Sequence, residues 1–238
     1  MANEIREQIL AFYDRLAHDS HHRYRSWEHC FQHFRQHSTF TTPEHLDTAS
    51  LHLAFYLASW GMYRGSSALL WKDYRIHQPA VATLLDSEYS TLWDLHLRDA
   101  ADDSRIVALV VSLSDGLRAT YHQHITEADG APKDFQPSDT LITKLLLGTI
   151  GCTPACDRYF ILGFRHTGLP YSRFSASFLT EVLRFYRNHA AEFQETRDAI
   201  MQRGGLSYPP MKLVDMYFWE LGFNLLPEAK TDETTNEA

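Results

Sequence analysis

No stretch of this sequence reaches the roughly 18 uninterrupted apolar residues that a bilayer-crossing helix needs, and the opening MANEIREQ carries no basic segment followed by an apolar one. The first absence excludes membrane insertion and the second a recognisable export signal, so the expected location is the cytoplasm. Cysteine is scarce: Cys30, Cys152 and Cys156 make three, an odd number in a chain of 238 residues. A chain of this size does not depend on disulfides, which fits a reducing compartment. Positive charge is short as well, with 22 Lys and Arg against 30 Asp and Glu, and this speaks against a strongly basic nucleic-acid binder. Alternating strand pairs joined by Asn-Gly or Asp-Gly are missing, and so is any internal repeat. No HExxH occurs. No metal, cofactor or obligate protein partner is expected.

What is present is core-forming material: 44% hydrophobic and 13% aromatic residues, enough for one full domain. Apolar residues recur at helical spacing along almost the whole chain, which predicts an all-α fold. The spacing places helices over residues 4–17, 21–36, 43–59, 67–74, 79–87, 89–97, 104–124, 139–147, 157–164, 175–201 and 210–223, with a break near His189. Thr42 before Pro43 forms an N-cap and first-turn pair. The segment 126–137, TEADGAPKDFQP, is rich in turn formers. It divides a domain spanning 1–225 into two helical lobes, about 1–125 and 138–225, flanking a central cleft. The acidic tail 226–238 is expected to be disordered. Residues 1–137 hold 12 basic and 18 acidic side chains and residues 138–225 hold 9 and 8, so a local positive face is compatible with the second half.

The most informative stretch is GTIGCTPACDRYFILG, residues 148–163. Ser138 caps a short apolar helix that stops at a loop containing Gly148, Gly151 and Pro154, and Asp157 then opens the next helix. An aspartate there has two possible jobs. It can cap the helix by accepting from free backbone N–H groups. It can also be a carboxylate aimed at a substrate, where it stabilises developing positive charge or activates water. Cleavage of a glycosidic bond needs such a group because its transition state resembles an oxocarbenium ion.

The order of an LxxxLxxxG-like helix, a proline-containing loop and P-x-x-D followed by a basic residue and an aromatic, here LLLGTIGCTPACDRYF, resembles the helix-hairpin-helix superfamily of DNA glycosylases. The close likeness covers about 20 residues. It implies a helix-hairpin-helix glycosylase-like fold, double-stranded DNA as partner, no cofactor, and Asp157 as the catalytic residue. It also makes Lys144, Gly148, Gly151, Arg158 and Ser66 candidates for DNA contact. The family's glycine-rich hairpin is replaced by DFQPSDTL, so another loop would have to hold the phosphates. Residues 138–141 lack the lysine with which bifunctional members form a Schiff base, so base hydrolysis without strand cleavage is expected. The acidic balance and missing hairpin make the chain look like a distant, specialised branch of that superfamily, and its overall likeness to an anti-phage branch implies a modified cytosine of viral DNA, such as α-glucosyl-hydroxymethylcytosine, as the base removed. A damaged base in host DNA is the alternative within the class.

Such enzymes flip one nucleotide and hold its base between aromatic or apolar walls. Trp60, Tyr63 and Arg64 lie on a turn bracketed by Gly61 and Gly65, and suit either those walls or the packing of a helix corner. The helix 210–223 reads mostly as core, with Asp215 and Tyr217 the residues that could line a pocket. Two other classes compete. His29, His33 and His37 recur every four residues, as a helical metal-dependent hydrolase might arrange its ligands. A non-enzymatic interaction module would use the aromatic turn at Trp60 to Arg64 as its partner surface.

Overall fold

The computed structural model describes residues 4–39, 41–65, 67–93, 100–127, 130–131 and 133–226. Among them no strand occurs, and the all-α expectation holds. No helix is long and apolar enough to cross a membrane. The chain forms two compact units, one of Met1–Ser20 with Pro154–Ala238, the other His21–Thr153. The division therefore falls near residues 20 and 153 and not in the segment 126–137. Turn formers mark where a chain bends, whereas unit membership depends on which distant helix an amphipathic face meets.

In the unit His21–Thr153, α2 is Arg25–His37 and α3 is Pro43–Ser59. α4 is Gln78–Leu84, α5 Ser90–Trp93, α6 Asp103–His124 and α7 Asp139–Thr149. The helix expected over 67–74 is replaced by two 3-10 turns, Ala68–Trp71 and Tyr74–His77. Ser67 and Asp73 each cap one of them through the side chain, so the local hydrogen-bonding residues that start a turn also interrupt a longer helix. α5 ends at Trp93, and the rest of the helix expected over 89–97 lies outside the described residues. Thr42 accepts from His45 N and Ser138 from Leu141 N, as their capping positions require. From Leu141 to Thr149 every residue of α7 is buried. Its Gly148 is closed over by the Tyr56 ring, which a Cβ at that position would overlap.

In the other unit, α1 is Glu4–His18, α8 Arg158–His166, α9 Ala176–Asn188, α10 Ala190–Gln202 and α11 Pro210–Asn224. The expected break falls at His189, with φ −122° and ψ 19°. α11 is buried from Pro210 through Phe223 and serves as the central rod. α8 crosses it at glycines on both sides: a Cβ on Gly163 would collide with the Phe218 carbonyl oxygen, and one on Gly222 with that of Tyr159. Phe160, Phe164, Phe178 and Phe218 pack around this crossing, mostly edge to face. α1 lays Ile5, Ile9, Phe12 and Leu16 inward. Its Arg15 grips the buried Glu220 of α11 with two bonds of 2.6 and 2.5 Å.

Candidate functional site

The segment before Asp157 is a loop that behaves like core. α7 is stopped by Gly151 at φ +73°, whose N–H turns back to Leu146 O at 2.8 Å. Residues 151–156 are all buried although none is helical. Backbone polar groups in such a place require partners. One comes from α11: Asp215 Oδ1 accepts the Ala155 N–H at 3.0 Å, while its Oδ2 receives Lys212 Nζ at 2.8 Å. Lys212 and Asp215 are both only 2% exposed, and the ammonium also lies 5.0 Å from the Phe12 ring centroid. Burial raises the Asp215 carboxyl above its ordinary range, the Lys212 ion pair pulls it back, and the charge of Asp157 raises it further. The two carboxylates are thus near enough to feel each other.

Asp157 itself is half-buried and stands as N-cap of α8 with extended backbone, φ −93° and ψ 177°. Its Oδ1 accepts from Tyr159 N and Phe160 N, both at 3.1 Å, and its own N–H reaches Ala155 O at 2.9 Å. The capping job is therefore performed, and both cap bonds fall on one carboxylate oxygen. Ala155 is the shared link, so the buried pair on α11 braces the loop that presents Asp157. Arg158, the next residue, is exposed.

The other candidates have different surroundings. Tyr217 is buried and stacks on Phe185, with centroids 5.6 Å apart and planes at 12°. Burial pushes its hydroxyl up to about 12, helped by Glu4 and Glu192, as fits its packing in the core. Asp215 braces the loop from within the core, where it cannot line a pocket directly. Lys144 is buried, donates to Trp60 O at 2.9 Å and sits 5.4 Å from the Trp60 ring centroid. It ties down the Trp60 turn and does not present its charge to a phosphate. Gly148 and Gly151 are both buried, and Gly151 N is committed to the helix end. Neither offers DNA a backbone N–H. Ser66 lies outside the described residues.

Trp60 closes α3 and stacks on Tyr24 at 4.4 Å and 22°. With Lys144 also against the ring, its role is that of the packed corner. Phe55 and Trp71, 60% and 82% accessible, are exposed aromatics nearby in sequence. Gly61 and Gly65 adopt φ +76° and +60°, and Arg64 is exposed with its guanidinium folded back over Gly61. Tyr63 is half-buried and belongs to a chain of hydrogen bonds: Tyr63 Oη to His77 Nε2 at 2.6 Å, and His77 Nδ1 to Tyr121 Oη at 2.5 Å. His77 is fully buried, which lowers its imidazole to about 3 and keeps it neutral. Burial, then the charge of Asp73, raises Tyr63, and burial raises Tyr121 strongly.

His29, His33 and His37 do share a helix face, but His33 lies flat against His52 at 4.1 Å and 14° and against His37 at 4.6 Å and 27°. Stacked rings direct their lone pairs along parallel planes, not toward a common ion. Among the described residues no three His, Cys, Asp or Glu side chains are placed to hold a metal. The three cysteines are buried and none forms a disulfide.

Sequence reasoning missed Lys212, His77 and Tyr121. A lysine three residues before an aspartate in an otherwise apolar helix was a readable sign of the first, whereas the pairing of His77 with Tyr121 links positions 44 apart and left no local signal. No family model, curated protein or solved structure matches this chain, so the reading of the site rests on its own residues.

Proposed function

We propose that the protein is a monofunctional DNA glycosylase that flips and hydrolytically excises a modified base, leaving an abasic site. The observation that carries this reading is the Asp157 carboxylate, held at the start of α8 at the end of a buried loop that Asp215 and Lys212 brace. Fixing a carboxylate before the reaction is what stabilisation of an oxocarbenium-like sugar requires, since no reorganisation is then needed as charge develops. The helix-hairpin-helix kinship is part of the proposal and is supported by the order of motif residues around Pro154 and Asp157.

The substrate is assigned to phage DNA carrying a glucosylated hydroxymethylcytosine, in a bacterial defence role, with the cytoplasm as compartment. Three buried cysteines outside any disulfide are consistent with that compartment. The test is incubation of the protein with modified phage DNA and with unmodified DNA, scoring free base by mass spectrometry and abasic sites by alkali cleavage. Release from modified DNA alone is expected. Release from neither, with no DNA binding, would reduce Asp157 to a helix cap.

A further inference from the structure

From Arg158 to Thr180 the chain carries three arginines, Arg158, Arg165 and Arg173, and no Asp or Glu, although acidic residues outnumber basic ones by 30 to 22 over the whole sequence. All three are exposed, on α8 and on the loop that joins it to α9. In the same unit Arg184 pairs with Glu181 and Arg203 with Asp14. Among the described residues none of the three has a carboxylate partner, and the side chains of Arg158 and Arg173 make no hydrogen bond. Arg158 and Arg165 stand seven residues apart and so share one face of α8, separated by about 10 Å along its axis. Arg165 gives Nε and Nη2 to the Tyr171 carbonyl oxygen at 3.3 and 2.6 Å, which brings the loop back to the helix. That loop is fastened on both sides of Arg173: Tyr171 meets Phe178 edge to face at 5.2 Å, and the buried Phe174 lies 6.0 Å from the same ring.

We infer that the strip of Arg158, Arg165 and Arg173 is a docking surface for the phosphate backbone of duplex DNA, and that the loop after α8 takes the place of the missing glycine-rich hairpin. A planar guanidinium fork matches two phosphate oxygens, and a cation without a carboxylate partner surrenders no ion pair on binding. Counterions released from the DNA supply the free energy. The anchored loop presents Arg173 without having to be ordered on contact. None of the exposed large apolar side chains among the described residues lies between 158 and 180, so the strip lacks the apolar face with which a protein lies on an anionic membrane. The choice of DNA among polyanions rests on the glycosylase reading above, since Arg158 directly follows Asp157 and starts the strip at that carboxylate.

The test is equilibrium binding of DNA by the full chain over a range of salt concentrations, in an Asp157→Asn background so that no base is released. The probes are a duplex with one α-glucosyl-hydroxymethylcytosine and the same duplex unmodified. Arg173→Gln is expected to reduce the slope of log affinity against log salt by about 1, and Arg158→Gln with Arg173→Gln by about 2, with both duplexes weakened by the same factor. Arg6→Gln removes the same charge from the exposed side of α1 and is expected to leave the slope unchanged. An unchanged slope in the strip variants, an equal reduction in Arg6→Gln, weakening confined to the modified duplex, or binding to neither duplex, with or without binding to phosphatidylserine vesicles, would overturn the inference. Base release by the wild type is scored apart from binding. Release with an unchanged slope sinks the strip and keeps the glycosylase, whereas a reduced slope without release keeps the strip and sinks the glycosylase.

Discussion

At the scale of single residues, Asp157 carries two jobs that substitution can separate. Asparagine caps helices as well as aspartate does, because its side-chain oxygen accepts the same N–H groups. Asp157→Asn is therefore expected to keep the unfolding midpoint of the wild type while base release falls at least a hundredfold, as loss of a charge that acts in the transition state should. Asp157→Ala should lose both, with about 1 kcal/mol of stability in denaturant unfolding. Lys212 and Asp215 are a different case, since each compensates the other's burial. Lys212→Met leaves an uncompensated carboxylate in the core and is expected to cost about 3 to 5 kcal/mol. The double variant with Asp215→Asn should recover part of that, which a double-mutant cycle by chemical denaturation checks.

At the scale of elements, the closest packing is the α8–α11 crossing, where two glycines face the partner's carbonyl oxygens. Gly163→Ala must push the helices apart, and overpacking of this sort costs about 1 to 3 kcal/mol. Since Asp157 caps α8, the same variant should also lower activity beyond its effect on the folded fraction, measured at a temperature where both proteins are folded. Most helices were legible from apolar spacing and caps, because Thr42, Ser138 and the Pro210 start act within one turn. The segment 67–77 was not, because Ser67 and Asp73 each offer local hydrogen bonds that favour short 3-10 turns over one continuous helix. At the site, Asp157 was readable from its place before an amphipathic helix. The burial of Lys144 and Tyr217 was not, since a helix buried on all faces erases the periodicity that separates inside from outside.

At the scale of the whole molecule, the pairing of α1 with α11 also escaped the sequence. The stripe Ile5, Ile9, Phe12 and Leu16 announces a buried face but not its partner some two hundred positions away. Stability at this scale should depend on pH through His77 and His33. His77 is held at about 3 against an ordinary 6.5, so the unfolded chain takes up a proton as pH falls through 6.5 while the folded one does not. Its contribution is fully present above pH 6.5 and is lost progressively as pH falls toward 3. Between pH 7 and pH 5 the loss is about 2 kcal/mol from this residue alone. His33, lowered to about 4 by burial and then by His52, His37 and His45, acts in the same direction. Guanidinium unfolding at the two pH values measures the sum, and His77→Gln should flatten the dependence.

The most direct measurement is single-turnover base release from α-glucosyl-hydroxymethylcytosine DNA by wild type and by Asp157→Asn, with equal folding of the two verified by circular dichroism. Release by the wild type and none detectable by the folded variant is the expected result. Equal release by both, or none by the folded wild type, would contradict the assignment of Asp157 as the catalytic carboxylate and leave it as the cap of α8.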